Sequence, residues 1–372
     1  MLCLPHRCHS QLNSDQEVNR HMSVDKIRIG FIGAGSISRN AHLPGLIAVE
    51  GVELVAVCNR SRESSQAIAS EFGFAATEDD WRGLIGRDDI DAVFIGTWPY
   101  MHKELSLAVL EAGKHCFCQA RMCMNLEEAK VMLAAAQAHP DLVNMISPAP
   151  HPLEHYLREV VHSGRLGHIT SVELRVIGSG NLDRNSVHWR ERAEFSGNQI
   201  MAMGIYAEML NAIVGPYEAL SASLSTPLPT KTGADGETVQ IGVPQVVAIS
   251  GRLRNGALAV EHHTGVNVDK TSGGSSLTIR GLEGTSLYDL DETLQIGGAG
   301  EPLSRVDVPQ ERRTEWTVEE DFIAAVRMAR AGKPPEERPV RPDFAEGVLY
   351  MRKVEAVHRS STSGQAVEPA VL

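Results

Sequence analysis

The 372-residue chain predicts a two-domain α/β protein, with an N-terminal Rossmann-type dinucleotide-binding domain ahead of an α/β domain built on an open, mainly antiparallel sheet. Three observations carry that expectation. Short apolar runs alternate with helical stretches across residues 26–147, the grammar of a parallel sheet covered by helices. A small-residue turn, Gly33-Ala34-Gly35-Ser36-Ile37-Ser38, directly follows the first of those runs. Past the proline-rich segment 147–152, strand-like segments succeed one another with turn signals between them, which favours antiparallel pairing.

Residues 1–24 hold no apolar run that could form a signal-peptide core, so the expectation there is a disordered tail, with Met22 as an alternative start. Residues 25–147 then form the dinucleotide-binding domain and 148–372 a substrate and oligomerisation domain. Strands are expected at 26–33, 52–59, 91–97, 115–119 and 142–147, and helices at 63–72, 103–112 and 126–138, each closed by Gly or Pro. In the second domain the pattern predicts strands at 168–178, 245–253, 257–264, 276–281 and 286–289. Helices are expected at 153–162, 203–214, 317–331 and 343–359. The span 226–243, rich in Pro, Gly and Thr, reads as a surface loop.

Composition narrows the function. With 35 Lys and Arg against 47 Asp and Glu, the net charge of −12 repels nucleic acid and anionic membranes, so neither is expected as a partner. No apolar run reaches the roughly 18 residues of a membrane-spanning helix. Six cysteines are few for this length, and four of them (Cys58, Cys116, Cys118, Cys123) lie in or beside strand-like runs, as buried thiols of a cytoplasmic protein would.

In the small-residue turn, Gly33, Gly35 and Ser38 occupy the three positions of a dinucleotide fingerprint, where main-chain N–H groups at a helix start can approach a pyrophosphate. Ser36 and Ile37 complete that loop. At the end of the second strand, Asn59-Arg60-Ser61-Arg62 replaces the carboxylate that an NAD-specific site uses on the ribose. An amide followed by guanidinium groups at Arg60 and Arg62 suits the 2′-phosphate of NADP, with NAD as the alternative.

From residue 26 to the C-terminus the chain resembles the Gfo/Idh/MocA oxidoreductase family. The likeness is carried by 33–38, by Gly96-Thr97-Trp98-Pro99-Tyr100-Met101-His102, by 111–115 and 118–129, by His188-Trp189-Arg190, by 196–206 and by 281–285. It implies NAD(P)-dependent redox chemistry on a secondary alcohol or ketone of a sugar, cyclitol or glycoside, and homo-oligomers built through the open sheet. It also implies cofactor contacts from Thr97, Trp98, His102 and Gln119.

Two departures touch the chemistry. Where the family carries Glu-Lys-Pro, with the Lys at nicotinamide and substrate, this chain has Gln119-Ala120-Arg121. Arg121 sits one position late, on the opposite face if the chain there is extended, and its guanidinium cannot act as a base. Where many members have a His two residues after a Gly, Gly204 is followed by Tyr206. A phenol can take a hydroxyl proton if nearby cations lower its pKa, so Tyr206 is the expected acid/base, with Arg121 and His102 orienting the substrate. Trp98, His188 and Trp189 are expected to line the substrate pocket.

His151-Pro152-Leu153-Glu154-His155 matches a zinc-peptidase pattern, but Pro152 pushes His151 toward extended backbone, so no metal site is expected. Two further readings remain open on the sequence: a dinucleotide-binding sensor without turnover, motivated by the loss of the Lys and His together, and an enzyme that recycles a tightly bound cofactor.

Overall fold

The computed structural model describes residues 26–372 except 150, 270–273, 291 and 339; the predicted tail lies outside the described residues. In the first half, β1 (Ile27–Ile32), β2 (Val52–Cys58), β3 (Ala76–Thr77), β4 (Ala92–Ile95), β5 (His115–Cys118) and β6 (Asn144–Ile146) pair in the order β3-β2-β1-β4-β5-β6. Every pair is parallel, so both faces must be covered. The covering begins with one wide helical turn at Ser38–His42 that runs into α1 (Leu43–Ala48). It continues with α2 (Arg62–Phe72), α3 (Trp81–Ile85), α4 (Pro99–Glu111) and α5 (Leu126–Ala138).

The second half contributes α6 (Glu154–His162), β7 (Ile169–Ile177), α7 (Ala193–Ser196), α8 (Met203–Ile213), β8 (Tyr217–Ser225), β9 (Thr230–Thr232), β10 (Thr238–Gln240), β11 (Val246–Leu253), β12 (Leu258–Thr264), β13 (Ser276–Gly281), β14 (Gly284–Tyr288), β15 (Leu294–Gly298), β16 (Ser304–Val306), α9 (Val318–Arg330) and α10 (Phe344–Ser363). Eight strands form one sheet in the order β16-β15-β14-β13-β7-β12-β11-β8. All neighbours are antiparallel except β7 and β12, which run parallel. One face is buried. Along β12, Ala259, Glu261 and His263 point inward while Leu258, Val260 and His262 point out, leaving the outer face of the sheet open.

The expectation of a surface loop at 226–243 is corrected, because β9 and β10 pair there as a two-stranded antiparallel ribbon. Strand β8 was not foreseen. Its alternation runs through Ala, Ser and Glu and carries little apolar contrast, yet Leu220 is buried on its inner face and β11 pairs along its length.

Packing does not follow the division at 147/148. Helix α9 sends Val318, Phe322, Ile323 and Val326 back into the core of the first sheet, and α10 adds Phe344, Val348 and Met351 on its other side. Phe322 meets Phe94 edge-on at 5.2 Å and Phe117 at 5.7 Å, while Phe94 and Phe117 stack at 4.3 Å. Phe322 is fully buried, so Phe322→Ala should destabilise the chain by about 3–5 kcal/mol. Urea unfolding followed by circular dichroism checks this, and a loss below about 1 kcal/mol would mean that α9 is not seated on the sheet.

Candidate active site

The carboxyl ends of β1, β2, β4 and β5 converge on the small-residue turn. Gly33 has φ of 81°, and a Cβ there would lie 2.6 Å from Thr97 Cγ2 and 2.8 Å from Thr97 N. Only glycine lets the turn pass this close to the end of β4. Ser38, in the third position, is buried, and its Oγ lies 2.6 Å from where a side chain at Gly96 would begin. Its smallness therefore serves helix–strand packing. A Cβ at Gly35 would meet no atom within 4 Å, and Ser36 and Ile37 are exposed beside it. The open space above Gly35 fits a dinucleotide pyrophosphate, and the buried Thr97 Oγ1, without a partner among the described residues, is a free polar atom at the same edge.

At the ribose end the three expected contacts separate. Asn59 Oδ1 accepts from Ala34 N–H at 2.7 Å and its Nδ2 donates to Ser64 Oγ at 2.9 Å, which makes it a strut between the turn and α2. Arg62 points at Asp79, 3.6 Å away. Arg60 is exposed at the end of β2, with no ion pair among the described residues.

Beyond β5 the backbone leaves the strand at Cys118, so strand alternation does not govern Gln119, Ala120 and Arg121. That corrects the expectation that Arg121 turns to a remote face. Its Nη1 donates to Met201 O at 2.6 Å, and its Cδ would lie 3.1 Å from a Cβ at Gly204. Arg121 thus ties the carboxyl edge of the first sheet to the start of α8. Burial, with Arg190 adding repulsion, brings its guanidinium down to about 10, so it stays charged at neutral pH.

Gln119 is buried, its Oε1 taking Ala120 N–H at 3.1 Å and lying 3.3 Å from His42 Nε2, while His42 Nδ1 pairs with Glu319. His102 is fully buried. Its Nδ1 lies 2.9 Å from Arg121 O and its Nε2 2.9 Å from Thr97 O. Burial pushes its pKa down against the pull of the carbonyls; a neutral ring donates to one of the two carbonyl sides, and since each nitrogen faces backbone, neither is turned toward a substrate. The expectation that His102 orients the substrate directly is therefore replaced by a brace joining the loops after β4 and β5.

Tyr206 sits one turn into α8, partly exposed, with its ring 5.4 Å from that of His151 and 5.8 Å from that of His263. Trp98 and Trp189 stack at 5.3 Å with planes 13° apart, and the Arg190 guanidinium lies 4.4 Å from the Trp189 ring centre. The stack brings the β4 end and the 188–196 segment together as one wall. His188 caps that segment, its Nδ1 accepting from Arg190 N–H at 3.2 Å, so it shapes the wall from an exposed position.

His151 precedes α6, which starts at Glu154, so His151 and His155 do not share a helical face. Glu208, two residues past Tyr206, accepts from Ala149 N–H at 3.1 Å and lines a separate cavity of about 710 Å³ with Glu154 and Glu346. Burial raises its carboxyl to about 8, and the two neighbouring carboxylates add to the shift. Sequence reasoning passed over His263 and Glu261. Their signal was an acid and an imidazole two apart on the inward face of a strand.

The sequence model described as an oxidoreductase family with an NAD-binding Rossmann fold matches residues 27–146, and the GFO/IDH/MocA C-terminal domain matches 155–286. A 1,5-anhydro-D-fructose reductase from Ensifer adhaerens is 29% identical over 289 residues, 71% of this chain and 83% of that protein. A levoglucosan dehydrogenase from Pseudarthrobacter phenanthrenivorans is 27% identical, covering 77% of this chain and 78% of that one. A levoglucosan dehydrogenase structure in complex with NADH and levoglucosan superposes with a TM-score of 0.79 over 92% of this chain and 99% of its own. At 22% identity, that likeness speaks for the fold.

Because a methyl group at position 33 has no room, Gly33→Ala should abolish the fluorescence enhancement of added NADPH or NADH and lower the melting temperature. Unchanged binding of either dinucleotide would remove the turn from the cofactor site.

Proposed function

The chain belongs to the Gfo/Idh/MocA oxidoreductase family, and on that premise we propose that it is an NADP-preferring oxidoreductase of sugars, cyclitols or glycosides, with Tyr206 as the group that moves the proton. A bound nicotinamide would supply or accept the hydride. The protein's own part is to hold the dinucleotide over Gly33, Gly35 and Thr97, to anchor its ribose end at Arg60, and to present Tyr206 to the substrate hydroxyl. On oxidation the Tyr206 Oη takes the hydroxyl proton; on reduction it returns one to the new hydroxyl.

The observation that carries this reading is the Arg121 bridge to Met201 O and against Gly204, which brings the helix bearing Tyr206 to the same edge as the small-residue turn. Support for the substrate class comes from the names of the relatives, an anhydrofructose reductase and a levoglucosan dehydrogenase. The Trp98–Trp189 wall suits the apolar face of a pyranose. With Gln119 tied to His42 and Arg121 to Met201, the place of the family's lysine falls to Ala120, which has no proton to offer. Tyr206 is then the group that remains.

The open outer face of the second sheet, with Leu258 and Val260 each 54% exposed, supports a homo-oligomer formed through that face. Buried free thiols at Cys58, Cys116, Cys118 and Cys123 fit the reducing cytoplasm. No helix among the described residues is long and apolar enough to cross a membrane.

Tyr206→Phe keeps the ring and removes the phenolic oxygen. Steady-state kinetics on 1,5-anhydro-D-fructose with NADPH and on levoglucosan with NADP or NAD should show kcat falling by roughly 10²- to 10⁴-fold, while cofactor Kd stays near that of wild type. Full activity in that variant would defeat the assignment. Arg60→Ala should weaken NADPH binding by roughly 1.5–3 kcal/mol and leave NADH almost unchanged, measured by fluorescence titration. Equal losses for both would remove the NADP preference.

A further inference from the structure

Beside Tyr206 lies a group of buried ionisable side chains that the proposed reaction does not yet use. Glu261 and His263 alternate onto the inward face of β12, and both are 1% exposed. Glu261 Oε2 lies 3.0 Å from His263 Nε2. Its Oε1 accepts from Lys353 Nζ of α10 at 2.6 Å and from Tyr217 Oη of β8 at 2.8 Å. The His263 ring meets the Tyr206 ring edge-on, with centres 5.8 Å apart and planes at 61°.

A carboxylate, an ammonium and an imidazole in an apolar interior carry a large desolvation cost, and well-packed hydrocarbon in such a place is often as stable or more so. The neighbouring inward positions, Ala259, Val247 and Ile249, are filled with hydrocarbon. The cost therefore calls for a role beyond packing. We propose that Lys353 and Glu261 hold His263 in a single orientation and tautomer against Tyr206, which makes His263 a positioning residue for the proton transfer. The proposal rests on the reading of Tyr206 as the proton-transfer group.

The tautomer follows from the donors. Burial works to raise the Glu261 carboxyl, but Lys353 and His263 overcome it and hold it at about 2, so it is an acceptor at every physiological pH. Its Oε1 is taken by Lys353 and Tyr217; Oε2 then takes the Nε2–H of His263. Burial pushes the His263 pKa down against the pull of Glu261, so the imidazole is neutral, with Nδ1 bare.

Other groups near His263 reinforce this arrangement or leave it alone. Val247 of β11 and Val176 of β7 stand beside it in register and bring no charge. His262 turns to the outer face and adds a weak repulsion. His151 is the other imidazole beside Tyr206, its ring 5.4 Å from the phenol ring. The arrangement matches the logic of a hydrolase triad, in which a buried carboxylate fixes the tautomer of an imidazole beside the reacting hydroxyl.

The sign of the test is set by charge. In Lys353→Met, Glu261 loses its nearest cation and draws a proton onto His263. Nitrogen-15 histidine NMR of the full chain, with His263 assigned by its loss in His263→Gln, should show the neutral Nε2–H tautomer in wild type from about pH 6 to 9. In Lys353→Met the cationic form should appear at a pH at least about one unit higher than in wild type, and the Tyr206 carbon-13 ring signals should move with it. An Nδ1–H tautomer in wild type, or Tyr206 signals indifferent to the His263 titration, would overturn the proposal without any substrate.

The kinetic arm uses His263→Phe, which keeps a ring against Tyr206 and leaves Glu261 its bonds to Lys353 and Tyr217. With 1,5-anhydro-D-fructose and NADPH, kcat should fall roughly 10²-fold while KM and cofactor Kd hold. The double variant with Tyr206→Phe should be no slower than Tyr206→Phe alone. Additive losses overturn the positioning role. Wild-type turnover in His263→Phe beside a crippled Tyr206→Phe sinks this proposal only, whereas full activity in Tyr206→Phe sinks the reading of Tyr206 and the proposal with it.

Discussion

Helix α10 is hydrogen-bonded to both sheets at once, and the geometry of the cleft depends on it. At its start Phe344 N–H donates to Asn144 Oδ1 of β6. Two turns on, Tyr350 Oη accepts from Met122 N–H just after Arg121, and Lys353 reaches Glu261 on β12. Near its end Ser360 Oγ accepts from Ala222 N–H on β8. Between these bonds Val348, Met351 and Val354 are buried in the two cores. A helix pinned to both sheets along 20 residues leaves little freedom for one to turn against the other.

The same economy governs several interior polar groups near the cleft, whose pairing makes their burial tolerable. His102 braces two loops through backbone carbonyls, Gln119 and His42 lead to Glu319, and Asn59 joins the small-residue turn to α2. These residues resemble site residues in sequence because they are polar and sit at strand ends. In space they form the frame that holds Thr97, Ala120 and Arg121, and a frame must spend its hydrogen bonds on the protein.

What is left facing the cleft is a short set. On the proposed reading Gly35 and Thr97 take the dinucleotide, Arg60 its ribose end, and Tyr206 with the Trp98–Trp189 wall the substrate. Arg121 lies between the two groups and binds to Met201 O, so its charge is held at the junction. The place of the lysine that the family resemblance leads one to expect falls to Ala120, which has no proton to offer. Proton transfer, on the proposed reading, falls to Tyr206, whose ring has those of His151 and His263 beside it.

The sequence by itself determined the two-part α/β architecture, the parallel first sheet, the small-residue turn and the family, because strand–helix alternation and a turn that only Gly can make are local properties of consecutive residues. It also placed Tyr206 two residues after Gly204. Tertiary structure decided the rest. Which of Asn59, Arg60 and Arg62 stays open depended on Ala34, Ser64 and Asp79, and the fate of His102 depended on carbonyls of two other loops. The return of α10 to the first sheet joins residues as far as 228 positions apart, and the meeting of Glu261 and Lys353 joins residues 92 apart; the return of α9 and the pairing of β8 are likewise contacts between distant elements. No periodicity reports such contacts, because the energy that selects them comes from desolvation and packing between elements, and these exist only once the chain has closed on itself.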